Sequence, residues 1–458
     1  MKAFDGKRLA ALALGALLCL CQAGCSFTGL DAQNLMSPPR ANLEQQGIYE
    51  LLQEGDSQEL TFVYPKRGEN RSAIIMKDWT GDGVSDAVGF VSTEGGGVRV
   101  SFLEKYQERW RTAASFVNAA TQVDLVTFGD VNGDGAQDVL IGWGSAAGTT
   151  GRTAAVSAYL YRDGDVTETL LGTYGEMAVT DFDGDGVSEV FTVDKYVAAE
   201  EEGAEALPAQ AHIYAWQDGA LQELHTASAD NSITSYTAIH FGKLGRDLSA
   251  VVVDGAKADG SMTTQVFTLE DGLLLNSPAG VNSESYQNPF SRPSAAVFTS
   301  QDVNGDGLLE IPVASQLPAI PEDVSLDSTG FLVEWVNADT SGNYETALTA
   351  LMNLGENYWF RLPASLVGKI SASNNTAARS VTYTEVVTGE DGSQLLGSPL
   401  FTIRVFTRSA WDSRGETSGY EQLAAQGDLV FGIQTLTQDA EHLRAIAQIR
   451  SQFHVTLE

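Results

Sequence analysis

The side chains in this chain best suited to chemistry are oxygens set in a fixed register, most clearly from Asp130 to Asp138 in DVNGDGAQD. Positions 1, 3, 5 and 9 are Asp130, Asn132, Asp134 and Asp138, and Gly133 and Gly135 let the backbone curl around them. A hard cation such as Ca²⁺ takes about six to eight oxygen ligands, and a short acidic loop of this kind can gather them. The register returns in DWTGDGVSD (Asp78, Thr80, Asp82, Asp86), in DFDGDGVSE (Asp181, Asp183, Asp185, Glu189) and in DVNGDGLLE (Asp302, Asn304, Asp306, Glu310). A fifth copy, FGKLGRDLSAVVV, has Lys243 at position 1, and the cation there predicts no metal. An EF-hand would need a carboxylate at position 12 followed by a helix. Position 12 holds Gly89, Ile141, Thr192 and Val313, and strand-like sequence follows, so that reading fails.

Apolar runs flank each loop, which makes the unit strand, acidic loop, strand. Loop starts at Asp78, Asp130, Asp181, Lys243 and Asp302 lie 52, 51, 62 and 59 residues apart, a period suited to a four-stranded propeller blade. In the second repeat the expected strands are Val123 to Gly129, Val139 to Trp143, Ala154 to Tyr161 and Val166 to Leu171. Asp-Gly turns at Asp163-Gly164, Asp218-Gly219 and Asp271-Gly272 join alternating apolar strands, a strong hairpin signal. The expected fold is therefore mainly β, a propeller of five four-stranded blades, with room for a sixth, eroded one within Gly330 to Pro363. The short strand Leu60 to Tyr64 is placed to close the ring on the last blade.

These loops resemble the FG-GAP and VCBS repeats of bacterial surface propellers and integrin-type heads, over roughly residues 60 to 350. TFGDVNGDGAQDVLIG, from Thr127 to Gly142, matches most closely. The resemblance implies up to four Ca²⁺ ions, each also bound by the main-chain oxygen at position 7, that is by Val84, Ala136, Val187 and Leu308. Thr80 departs from the Asp or Asn usual at position 3. In this reading the metal braces each blade and does not itself meet a substrate.

The balance of 60 acidic to 27 basic residues, a formal charge of -33, repels nucleic acid and anionic lipid head groups. Cys19, Cys21 and Cys25 all fall in the first 25 residues, behind Lys2, Lys7 and Arg8 and an apolar run from Leu9 to Cys21. Ala23-Gly24-Cys25 resembles a bacterial lipobox, although Gln22 stands where Leu is usual. Residues 1–24 read as a lipoprotein signal, with Cys25 the lipidated residue of a chain anchored outside the cytoplasm. An ordinary cleaved signal and an uncleaved anchor are the alternatives. Residues 25–54 read as a tether with a short helix at Leu43 to Gln53, 55–353 as the propeller, and 354–458 as a small α+β domain. In that domain Leu443, Ile446, Ile449 and Phe453 recur at helical spacing, and Tyr420 to Ala425 reads as a shorter helix.

Three long insertions, Val197 to Ala209, Asn276 to Pro293 and Gln316 to Thr329, belong to the end opposite the acidic loops. There Tyr286, Phe290 and Arg292 are the expected contacts for an extracellular protein or glycan. Glu200, Glu201, Glu202 and Glu205 read as solvated surface. His212, His225, His240, His442 and His454 are scattered, and neither a GxSxG elbow nor a phosphate loop is present. The chain is expected to be a monomeric binding module and not an enzyme, with a secreted polysaccharide-acting hydrolase or lyase as the alternative. Trp359, Arg361, Trp411 and Arg414 could line a groove in the C-terminal region, where packing is the simpler account of the aromatics.

Overall fold

The computed structural model describes residues 43–54, 59–107, 109–144, 154–162, 164–199, 205–246, 248–277, 282–283, 287–319, 330–338 and 343–455. Cys25, the expected signal and most of the tether lie outside them, as do Tyr286 and Glu200 to Glu202.

The chain is mainly β, arranged as six small antiparallel sheets that follow one another in sequence. The first holds strands Ile74–Lys77, Asp86–Ser92, Val98–Tyr106 and Arg109–Asn118, and the second Gln122–Gly129, Asp138–Gly144, Ala155–Arg162 and Asp165–Thr173. The third runs Glu176–Thr180, Glu189–Val193, Gln210–Gln217 and Ala220–Ser228, and the fourth Ile233–Gly245, Leu248–Lys257, Met262–Glu270 and Leu273–Ser277. Each of these four is a simple meander, and the strands expected in the second repeat all form, within two residues at either end. Asp218 and Gly219 both take positive φ, 51° and 83°, as do Asp271 and Gly272 at 49° and 74°, which is the backbone a two-residue hairpin turn requires.

Strands with mostly buried runs, such as Asp86–Ser92 and Leu248–Lys257, sit inside each sheet, while fourth strands such as Arg109–Asn118 alternate exposed and half-buried residues. Successive sheets share cores. Trp79, Phe102, Trp143 and Tyr159 join the first to the second; Leu140, Tyr174 and Tyr214 the second to the third; Phe191, Ile213, Val251 and Phe267 the third to the fourth. Val252, Val266, Ile311 and Val336 join the fourth to the fifth. Among the described residues no hydrogen bonding closes these sheets into a barrel, and no core cluster joins the sixth sheet to the first.

The far side of the first sheet is covered by the helix Leu43–Gln53, whose Ile48 and Leu52 pack on Ala87 and Leu103. Gly89 leaves room for Leu52, because a Cβ there would come within 2.9 Å of its methyl. The segment Leu60 to Tyr64 lies beside the first sheet through a bridge from Phe62 to Val91, and so does not join the last sheet as expected. The chain then crosses the second and third sheets, where Arg67 ion-pairs with Asp124 at 2.9 Å and with Glu176.

The fifth sheet departs most from expectation. Its strands are Ile311–Gln316, Phe331–Ala338, Tyr344–Asn353 and Tyr358–Arg361, and Phe453–Val455 is added at the edge from the end of the chain. A sixth repeat within Gly330 to Pro363 is therefore the remainder of the fifth sheet. Hydrogen bonding runs straight across the 353/354 boundary, pairing Asn353 with Tyr358. The sixth sheet, Ile370–Asn375, Ser380–Thr388, Gln394–Thr407, Leu429–Thr435 and Glu421–Gln426 in spatial order, shares one core with the fifth through Leu351, Tyr358, Phe360, Tyr383 and Phe401. Tyr420 to Ala425, expected as a helix, falls mostly in the edge strand Glu421–Gln426, paired with Leu429–Thr435. Helix Ala440–Ser451 forms as expected, capped by the Asp439 side chain, which accepts from the N–H groups of Glu441 and His442. It buries Ala445, Ile446 and Ile449, whereas Leu443 faces out and Phe453 has passed into the edge strand.

Candidate metal centres

All four acidic loops adopt one scheme. Each leads into a strand, the first three directly from the end of the strand before and the last from the isolated bridge Gln301 to Glu310, and each carries two glycines at positive φ: Gly81 and Gly83, Gly133 and Gly135, Gly184 and Gly186, Gly305 and Gly307. The position-1 aspartate organises the turn by accepting from the N–H of both glycines, one on each carboxylate oxygen. For Asp130 the donors are Gly133 at 2.7 Å and Gly135 at 2.8 Å; for Asp181 they are Gly184 at 2.7 Å and Gly186 at 3.0 Å. Asp78 and Asp302 make the same pair of bonds. The position-5 aspartates accept from the position-7 N–H, at 2.7 Å for Asp82 and Val84 and at 2.8 Å for Asp134 and Ala136, Asp185 and Val187, and Asp306 and Leu308.

Position 9 differs from the rest. Asp86, Asp138, Glu189 and Glu310 are 0%, 1%, 6% and 0% exposed, whereas Asp82, Asp134, Asp185 and Asp306 stand in solvent. Each buried carboxylate accepts from its own loop: Asp138 from the Val131 N–H at 3.0 Å, Glu189 from Phe182 at 2.7 Å, Glu310 from Val303 at 2.9 Å, and Asp86 from the Thr80 hydroxyl at 2.8 Å. The third strand of the first sheet reaches in as well, with the Lys105 N–H donating to Asp86 at 3.0 Å. Burial pushes Asp138 up to about 7, with Asp134 and Asp130 adding to the rise and the Val131 and Tyr161 N–H groups opposing it. Burial likewise raises Glu189 to about 7, and lifts Asp86 and Glu310. Asp302, fully exposed, is lowered by the N–H groups of Gly307 and its neighbours.

Two of the loops bring three carboxylates together. One oxygen from each of Asp78, Asp82 and Asp86 lies within 4.8 Å of the others, and so does one from each of Asp181, Asp183 and Glu189. These two acidic clusters could hold a metal ion. In the second and fourth loops the position-3 amide turns toward the buried acid, Asn132 to Asp138 at 3.4 Å and Asn304 to Glu310 at 3.1 Å. Thr80 does the same with its hydroxyl, while Asp183 has no proton to give. Among the described residues no Lys or Arg ion-pairs with any of these carboxylates. An all-oxygen donor set whose buried carboxylates have no basic partner among the described residues fits a hard divalent cation.

Neighbouring loops also touch. The Ser188 N–H in the third loop donates to the Asp130 carbonyl at 2.7 Å, and the Leu309 N–H in the last loop donates to the Lys243 carbonyl at 2.7 Å. A Cβ on Gly81 would meet that of Ala136 at 3.3 Å, and one on Gly133 would meet Val187 at 3.0 Å. The worn repeat has no loop to organise: Lys243 lies in the long strand Ile233–Gly245, exposed, and pairs with Ser249.

Two of the expected partner contacts do not lie on the surface. Phe290 and Arg292 are each 1% exposed. Arg292 folds back beside Met262 and donates to Asp254 at 2.9 Å and to the Thr264 hydroxyl at 2.7 Å, while the Ser300 N–H closes on the same aspartate at 2.7 Å. A guanidinium and a carboxylate buried together satisfy one another, which is why this insertion turns inward. In the C-terminal region Trp411 packs on Phe406 and Trp359 stacks on His454 at 4.2 Å, so both tryptophans are occupied by packing.

No family model matches the sequence, and no curated protein matches it. Solved structures resemble the chain only remotely. A Bacillus licheniformis rhamnogalacturonan lyase is 14% identical, with a TM-score of 0.29 over 66% of this chain and 66% of that one. A hypothetical selenium-binding protein from Sulfolobus tokodaii is 8% identical, with a TM-score of 0.27 over 68% and 74%. AofleA from Arthrobotrys oligospora is 9% identical, with a TM-score of 0.26 over 74% and 95%. Likenesses of this size carry no argument about fold or chemistry.

Proposed function

We propose that the chain is a calcium-braced β scaffold, built from propeller-type repeats of the FG-GAP and VCBS kind and held outside the cytoplasm by lipid on Cys25, which binds an extracellular protein or glycan without transforming it. The observation that carries the metal part is the repeated burial of an uncompensated carboxylate, Asp86, Asp138, Glu189 or Glu310, at the end of an oxygen-rich loop. One Ca²⁺ per intact loop would supply the missing charge and join position 9 to the exposed oxygens of positions 1, 3 and 5, with the main-chain oxygens of Val84, Ala136, Val187 and Leu308 as further ligands. The metal then acts on stability: a site that binds only the folded state adds about 2.7 kcal/mol when ligand is at a hundred times its dissociation constant.

Thermal melts in excess calcium and in chelator test this directly. The melting temperature is expected to rise with free Ca²⁺, and the third-loop variant Asp181→Ala should lose part of the rise. An equal melting temperature in chelator sinks the proposal. Screening against oligosaccharides with product analysis tests the binding role, since release of cleaved product would replace it with the hydrolase or lyase reading.

A further inference from the structure

Among the described arginines, Arg67, Arg111, Arg292, Arg379 and Arg450 each hold a carboxylate, and Arg71 and Arg408 reach backbone carbonyls. The Arg361 guanidinium makes no hydrogen bond, ion pair or ring contact among the described residues, although its backbone N–H donates to the Gln452 carbonyl at 3.3 Å.

Arg361 opens instead onto a depression of about 470 Å³ between the edge of the fifth sheet and the end of helix Ala440–Ser451. That is within the usual range of about 300–1,000 Å³ for small-ligand sites. Strand Tyr344–Asn353 contributes Thr346 and Thr349, and the helix end contributes Gln448, Ser451 and Gln452. Leu362 and Val367 give one apolar side. Among the described residues Arg361 is the single ionisable group lining it. Ser451 donates its hydroxyl proton to the Gln448 carbonyl at 2.8 Å and keeps its lone pairs, and the amides of Gln448 and Gln452 are solvent-exposed with both donor and acceptor ends. Arg444 stands one turn before Gln448 on the same stripe of the helix and extends the positive rim.

We propose that this depression binds an acidic sugar, the carboxylate of a uronate unit seated on the Arg361 fork and its ring hydroxyls paired with Gln448, Gln452 and the neighbouring threonines. A guanidinium takes a carboxylate through two parallel hydrogen bonds, which fixes orientation as well as charge. Amides and hydroxyls that both give and accept suit a polyol. A fatty acid would leave them unpaired, and an inorganic anion would leave them unused. The site shares no residue with the acidic loops, so it goes beyond the metal reading and stands without it.

The test is calorimetric titration of the full chain in calcium with tetragalacturonate and with a glucuronate-containing oligosaccharide. At least one should bind saturably, its methyl ester and a neutral galactose tetramer should not, and Arg361→Gln should weaken binding tenfold or more with Arg361→Lys in between. Should Arg361→Gln melt early, Gln448→Ala, on the exposed helix face, should weaken binding about threefold in a folded protein. Absence of binding to either acidic probe at millimolar concentration, equal binding of the neutral tetramer, unchanged affinity in both variants, or preference for the terminal carboxylate of a peptide overturns the assignment. Uronate binding that survives chelation, with no calcium response in the melt, would sink the metal reading alone. A calcium response without uronate binding would sink this one alone.

Discussion

Asp138 concentrates the physical tension of the acidic loops. Its carboxyl is raised by burial to about 7, so in metal-free protein it is protonated where an unfolded aspartate is already charged. A folded pKa above the unfolded one means that this residue's contribution is fully present below about 4 and is lost as pH rises through about 7. In chelator the melting temperature is therefore expected to fall between about pH 5 and pH 8, and to fall less in Asp138→Asn, which has no proton to lose. Saturating calcium, which needs the Asp138 carboxylate charged, should flatten the wild-type slope, and identical slopes for the two proteins in chelator would contradict the account. The nine-residue register was legible because glycines at positions 4 and 6 allow only a few backbone paths, and those are the ones taken. Which of its four side-chain oxygens is buried was not, because that depends on the Lys105 and Tyr161 N–H groups, contributed by strands that follow the loop.

At the scale of elements, hairpins were readable where the turn chemistry is local, as at Asp218-Gly219 and Asp271-Gly272. They were not where pairing partners decide. Glu421–Gln426 is rich in helix formers, yet it is a strand because Leu429–Thr435 offers it a ladder. The insertion holding Phe290 and Arg292 looked like a recognition loop for a similar reason: nothing nearby in sequence announces Asp254 as the partner. Truncating only Arg292 strands a buried carboxylate, so Arg292→Ala is expected to cost about 3–5 kcal/mol in urea unfolding. The paired change Arg292→Met with Asp254→Leu should recover only part of it, because the buried Ser300 N–H then loses its acceptor. If the single variant unfolds at the wild-type midpoint, the ion pair does not hold this connection in place.

For the whole molecule, the unit of construction was visible as the loop spacing of 51 to 62 residues, and the first four sheets follow it. The end of the repeat region was not, because the fifth sheet takes its outer strands from Tyr358–Arg361 and Phe453–Val455 and shares a core with the sixth. A chain stopped at residue 353 would leave Leu351 and its neighbours in water and remove two strands from that sheet. We expect such a truncation to aggregate or to melt well below the full chain in scanning calorimetry. A truncation that melts like the full protein would make residues 354–458 a detachable domain after all.

The helix Leu43–Gln53 has a consequence of its own. Repeat arrays need finished ends, because the outermost unit otherwise shows an apolar face to water. Here Ile48 and Leu52 finish one end, and the sixth sheet with helix Ala440–Ser451 covers the outer strands of the fifth. Each sheet between them shares its core chiefly with the sheets before and after it. The sheets between the two ends need not be alike, since the fourth carries no acidic loop and still packs between its neighbours.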